Sequence, residues 1–219
     1  MIEALIFDMD GVLVKSEGAI STSFNKVLEK YGVKLNPENK KKYLGRSLRD
    51  QLQMMKEEYP QIPKELNIQQ FSKEAFQYQL ELLKEELVPK ILIKEFIKKA
   101  KENNIKIAVA TSSLRYRAEI FLKLIDIFNE LDILLTSEEV SNHKPHPDIF
   151  LETAKRLEVL PDNCVVIEDA KNGIDGAQAA KMKTIGVITE NRSIEELKHA
   201  DLIVNSLTEL NIEKIKKLF

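Results

Sequence analysis

Apolar residues fall along this chain in two rhythms. Short runs rich in Ile and Val at residues 4–7, 105–110, 165–167 and 184–188 read as strands buried on both faces, with a weaker run at 132–135. Between them, apolar positions recur at helical spacing over residues 94–102, 115–124, 148–157, 174–181 and 207–218. That alternation predicts an α/β fold whose parallel sheet carries helices on both faces. The later strands start about 16 to 30 residues apart, room for one crossover helix each, whereas roughly 96 residues separate the first strand from the second. Something is inserted there. No strand pattern occurs between residues 16 and 87, but Ile20, Phe24, Val27, Leu28 and Tyr31 recur helically, as do Phe71, Ala75, Tyr78 and Leu82. The expected organisation is an α/β core of residues 1–15 and 88–219 with a small all-helical insert of residues 16–87. Prolines break the insert's helices near Asn36-Pro37 and between Pro60 and Pro63.

Composition narrows the partners. With 33 basic and 35 acidic side chains, the chain has a formal charge of -2 and no basic footprint for phosphodiester backbones, so no nucleic-acid partner is expected. The apolar runs fall far short of the roughly 20 residues that span a bilayer. Glu3 and Asp8 also bracket the first run, which excludes a signal peptide there, and no membrane partner is expected. A single cysteine, Cys164, excludes an intramolecular disulfide and a multi-cysteine zinc site. It reads as a small buried hydrophobe in a chain that works in the cytoplasm, with monomer as the default state.

Candidate chemistry gathers at strand ends. The first strand leads into Asp8-Met9-Asp10-Gly11, the strand at 165–167 into Glu168-Asp169, and the strand at 105–110 into Thr111-Ser112. Lys144-Pro145 lies in the loop after Leu135. In an open α/β sheet these carboxyl ends line the ligand crevice. Four carboxylates at one edge repel by several kcal/mol per close pair, a cost that a hard divalent cation removes. An oxygen-rich site with few imidazoles suits Mg2+, which bridges protein carboxylates and substrate phosphate. Each residue also has a plainer reading. Lys144 is one of many lysines, Thr111 could cap the following helix, and Gly173 and Gly176 let a helix pack closely on the sheet. His143 and His146 sit three apart, but no third imidazole or thiol joins them as a transition-metal set.

Residues 7–14 (Phe7-Asp8-Met9-Asp10-Gly11-Val12-Leu13-Val14), Thr111-Ser112, residues 144–150 beginning Lys144-Pro145, and Ile167-Glu168-Asp169-Ala170 resemble motifs I to IV of the haloacid dehalogenase superfamily, in order and spacing. The helical insert after the first strand resembles the cap of its phosphatase and beta-phosphoglucomutase-like subfamily. The resemblance implies a Rossmann-like core and an inserted cap that closes as a lid. It also implies Asp8 as nucleophile through an aspartyl phosphate and Asp10 as acid, then base. That dual role needs a proton held near neutral pH, which neighbouring carboxylates can supply. Lys144 would neutralise phosphoryl charge, while Thr111 and the N–H groups of Met9, Asp10 and Ser112 cradle the oxygens. Mg2+ would be held by Asp8, the Asp10 carbonyl and Asp169, with Glu168 as a ligand or water-bridged partner. Gly45, Arg46 and Arg49 fall where capped relatives carry a substrate-touching loop.

The expected function is therefore a magnesium-dependent phosphatase acting on a small phosphorylated metabolite, a sugar phosphate or phosphoglycolate-like acid. The alternative is a beta-phosphoglucomutase. Ile20 stands where such mutases carry a histidine, and near Leu48, where they carry a basic residue, only Arg49 stands in, one position on. A phospho-acceptor receiver module groups similar residues, but the large helical insert argues against it.

Overall fold

The strand Ala4–Phe7 (β1) has all four side chains buried, as a central parallel strand covered on both faces requires. A computed structural model describes residues 1–14, 17–35, 48–83, 90–189 and 193–219. After β1 come α1 (Glu17–Glu29), α2 (Leu48–Glu58), α3 (Ile68–Leu83) and α4 (Lys90–Glu102). There follow β2 (Lys106–Thr111), α5 (Arg115–Leu124), β3 (Ile133–Thr136), α6 (Asp148–Leu157), β4 (Cys164–Glu168) and α7 (Lys171–Ala179). The chain ends with β5 (Lys183–Val187), α8 (Ile194–Leu197), β6 (Leu202–Val204) and α9 (Ile212–Lys216). Two compact units result, Met1–Lys15 with Leu87–Phe219, and Ser16–Glu86.

The first unit is a six-stranded parallel sheet in the order β3-β2-β1-β4-β5-β6. Its order reverses between β1 and β4, so the switch point, where an α/β crevice opens, lies beside Asp8. On one face Ala4, Ile6, Ala108 and Val166 pack with Phe150 and Leu157 of α6 and Ala177 of α7. On the other, Phe7 meets Phe96 of α4 edge to face, with ring centroids 6.2 Å apart. The second unit has its own core. Val27 and Leu28 of α1 pack with Leu52 and Met55 of α2 and with Phe71 and Ala75 of α3.

Two readings from the pattern change. β6 is a strand that the apolar rhythm does not announce: it has three residues, and Leu202 and Ile203 are only half-buried at the sheet edge. The expected helix at 207–218 is instead a 3-10 turn, Leu207–Glu209, followed by α9. Asn211 starts α9 afresh by accepting a hydrogen bond from the Lys214 N–H at 2.8 Å.

Between β3 and the Lys144 loop, Glu139 ties several segments together. Its carboxylate accepts from Arg156 at 2.7 Å, from Arg115, and from the N–H and hydroxyl of Thr136 at 3.1 Å each. Burial alone would push this acid up, but the hydrogen bonds from Arg156, Arg115 and Thr136 outweigh it and hold it at about 2. An acid held below its unfolded value of 4.5 stabilises the fold above that pH, and the contribution is lost as pH falls toward 2. Glu139→Gln is expected to cost about 1–2 kcal/mol at pH 7, the full shift being discounted for partial solvent screening. Urea unfolding at pH 7 and pH 3 checks this: a deficit equal at both pH values would contradict it.

Candidate active site

Register places the first carboxylate. β1 pairs Phe7 with Val109 on one side and with Ile167 on the other. One residue further on, Asp8 lies between Ala110 and Glu168, and its N–H continues the ladder to the Ile167 carbonyl at 2.9 Å. Lys144 reaches all three neighbours. Its Nζ donates to Asp8 Oδ1 at 2.6 Å, to the Ala110 carbonyl at 3.0 Å and to Glu168 Oε1 at 2.8 Å. It also lies 5.0 Å from the centroid of the Phe150 ring. Asp8, Glu168 and Asp169 are buried, and each offers an oxygen within 4.8 Å of the others.

Charge at this cluster is unbalanced. Burial pushes the Asp8 carboxyl up to about 7; Lys144 opposes the shift, and the Glu168 and Asp10 charges add to it. Burial would lower Lys144, but Asp8 and Glu168 together hold its ammonium well above the ordinary lysine range. Three buried carboxylates thus cluster around one ammonium, a count that leaves the site short of positive charge. An all-oxygen donor set with that deficit fits a hard divalent cation. Glu168 is held at both oxygens. Its Oε2 accepts from the N–H groups of Asp169 and Ala170, at 2.9 Å each, while Oε1 holds Lys144.

Two glycines make room for these carboxylates. Gly11 has φ +86°, and a Cβ there would lie 2.2 Å from Asp169 Oδ2. A Cβ on Gly173 would lie 1.8 Å from Glu168 Oε1. The sequence reading assigns Gly173 and Gly176 to helix-on-sheet packing, which Gly173 fits by its close approach to Glu168 of β4, whereas Gly176 packs elsewhere. Gly173 clears Glu168, and Gly176 clears the Lys144 loop, with the Pro145 carbonyl 3.1 Å from its added Cβ.

Asp10 takes a different environment. Arg117 Nη2 donates to its Oδ1 at 2.7 Å, and the Ser113 hydroxyl donates to its Oδ2 at 2.7 Å. The sequence reading looks to neighbouring carboxylates to set Asp10's chemistry; a guanidinium and a hydroxyl contact it as well. Neither Arg117 nor Ser113 is flagged by the sequence motifs. Thr111 is buried, and its hydroxyl accepts the Ser113 N–H at 3.1 Å, while Ser112 is exposed. The Met9 side chain is fully buried, and its carbonyl accepts the N–H groups of Leu13 and Val14 at 2.9 Å, folding the turn that presents Asp10.

His146 pairs with Asp148, Nδ1 to Oδ1 at 2.7 Å, and Asp148 Oδ2 accepts the Asn142 side chain at 2.9 Å. These contacts brace the loop that carries Lys144. Cys164 is buried, and burial pushes its thiol up to about 12, as for an inert core cysteine. Gly45 and Arg46 lie outside the described residues, as does the side chain of Arg49.

A family model described as haloacid dehalogenase-like hydrolase matches residues 5–187. A phosphorylated carbohydrates phosphatase of Thermotoga maritima is 30% identical over 187 residues, 85% of each chain. Hexitol phosphatase B of Escherichia coli strain K12 is 30% identical over 215 residues, 97% of this chain and 96% of its own. Among solved structures, a beta-phosphoglucomutase from Clostridium difficile superposes with a TM-score of 0.79 at 31% identity, covering 100% of this chain and 97% of that one.

Proposed function

The chain belongs to the haloacid dehalogenase-like hydrolase family, and on that premise we propose that it is a magnesium-dependent phosphatase acting on a small phosphomonoester through an aspartyl phosphate on Asp8. A sugar phosphate or phosphoglycolate-like acid is the proposed substrate class, in line with relatives named for phosphorylated carbohydrates and hexitol phosphates. The observation that carries this reading is the buried Asp8–Lys144–Glu168 cluster beside Asp169 at the sheet's switch point.

In this mechanism an Asp8 oxygen attacks phosphorus in line as the ester P–O bond breaks, and Asp10 gives a proton to the departing alkoxide. Water then bonds to phosphorus as the Asp8–phosphorus bond breaks, and Asp10 takes the water's proton. Lys144 neutralises charge on Asp8 and on the phosphoryl group. The Thr111 hydroxyl and the N–H groups of Met9, Asp10 and Ser112 receive the phosphoryl oxygens. Asp8, Asp169 and the Asp10 carbonyl would hold Mg2+, with Glu168 as a further ligand or through water, and the ion supplies positive charge to the phosphoryl group when bound. Residues 16–87 serve as the substrate-selecting cap, in a monomer that works in the cytoplasm. Among the described residues, no helix is long and apolar enough to cross a membrane.

Inorganic phosphate release across a panel of sugar phosphates, phosphoglycolate and nucleotides tests the reading. Activity is expected to fall by about 100-fold or more in EDTA and to return with Mg2+. Activity undiminished by thorough chelation would contradict the metal assignment. The second reading is a phosphomutase, favoured by the whole-chain likeness to the Clostridium difficile enzyme. Conversion of beta-glucose 1-phosphate to glucose 6-phosphate with little free phosphate would favour it over hydrolysis.

A further inference from the structure

The first turn of α5 carries Arg115 and Arg117 and no acid. Cations there oppose the helix dipole, whose positive end favours carboxylates. Departures from a local rule concentrate where function or tertiary pairing requires them. Arg115 is answered by Glu139 and by the Leu134 carbonyl. Arg117 turns instead to the mouth of the site.

Its Nη2 donates to Asp10 Oδ1, its Nη1 donates to Ser113 Oγ, and the Ser113 hydroxyl donates to Asp10 Oδ2, each at 2.7 Å. Three hydrogen bonds thus close a ring in which both Asp10 oxygens are held. The guanidinium carbon lies 5.3 Å from the centroid of the Phe121 ring, one turn further along α5. The Ser113 N–H is fixed in turn by the Thr111 hydroxyl. Asp10 and Arg117 are 107 positions apart, so the contact is made by the fold and not by local chain geometry.

We propose that Arg117 and Ser113 are positioning residues that hold the Asp10 carboxylate in one orientation for proton exchange with the leaving alkoxide. The proposal rests on the phosphatase reading above. The proton passes from Asp10 to the ester oxygen as that oxygen's bond to phosphorus breaks and the Asp8–phosphorus bond forms. A leaving group stable as an anion needs no such proton. The two esters of a matched pair should therefore respond differently: benzyl phosphate departs as an alkoxide, 4-nitrophenyl phosphate as a stable phenolate.

Arg117→Met keeps an unbranched apolar stem and removes the donors; Ser113→Ala removes the hydroxyl. Single-turnover measurements of alcohol release read only the step that forms the aspartyl phosphate. In them each variant is expected to slow benzyl phosphate about 30-fold or more and 4-nitrophenyl phosphate within about threefold, as orientation of a general acid requires. Hydrolysis of the intermediate, where Asp10 is the base, should slow alike after either ester. Arg117→Lys, which restores a cation, should recover part of the benzyl phosphate rate. Thermal unfolding of each variant establishes that it is folded. Equal losses on both esters in that first step, or no loss on either, would overturn the positioning role while leaving the phosphatase reading intact. A wild-type chain that in Mg2+ releases phosphate from neither of these esters nor any member of the substrate panel would overturn the phosphatase reading and the proposal together.

Discussion

Asp8→Asn is expected to reduce phosphate release by about 10,000-fold or more, because an amide oxygen cannot form the acyl phosphate that splits the hydrolysis into two steps. The same variant is expected to fold. Burial holds the Asp8 carboxyl at about 7 against an ordinary value of 3.8, so the folded state keeps a proton that the unfolded chain releases. An acid with a raised folded pKa makes stability decline as pH rises between those two values. Asparagine does not titrate. The melting temperature of the metal-free variant, relative to wild type, should therefore rise between pH 4 and pH 7. Phosphate release and thermal unfolding over that range are the measurements. Turnover near the wild-type rate would remove Asp8 as the nucleophile, and a variant that becomes relatively less stable with rising pH would contradict the charge imbalance at the cluster.

The strand-end residues are readable from sequence because buried parallel strands announce themselves as apolar runs, and whatever follows such a run lies at the carboxyl edge. Asp8 follows β1, and Glu168 closes β4 with Asp169 directly after it, so the order of runs and acids alone brings them near one another. Lys144 is readable through its proline-flanked motif, although nothing local says that it spans Asp8, Ala110 and Glu168. Arg117 is hidden for a different reason. On a helix rich in charge it looks like a solvated side chain, and only the pairing with Asp10 gives it meaning. Gly11 and Gly173 can be recognised as loop and helix glycines, but the atoms they make room for belong to Asp169 and Glu168 and appear only once the fold is built. β6 is lost because three residues at a half-buried edge carry too little periodicity to register.

Lys144→Met should produce the second large effect, because it removes the ammonium and leaves an apolar chain to lie against Phe150. Asp8 and Glu168 then face each other across a buried gap with no cation between them. Breaking a buried ion pair on one side costs about 3–5 kcal/mol, since the partner charge stays desolvated and unpaired. Here two carboxylates are left, so the metal-free variant is expected to lose about that much stability at pH 8. Asp8 is already raised by burial and loses the ammonium that opposed that shift, so its folded pKa lies further above the unfolded one and the penalty grows as pH rises. The deficit should therefore shrink on going from pH 8 to pH 4, and Mg2+ should reduce it at pH 8 by supplying the charge that lysine no longer does. Activity should fall about 1,000-fold even with Mg2+ present, because phosphoryl charge loses a fixed, desolvated partner. Urea unfolding at pH 4 and pH 8, with EDTA or with Mg2+, separates the outcomes. A deficit independent of both pH and metal would mean that Lys144 acts through packing alone, and the electrostatic account of the cluster would fail.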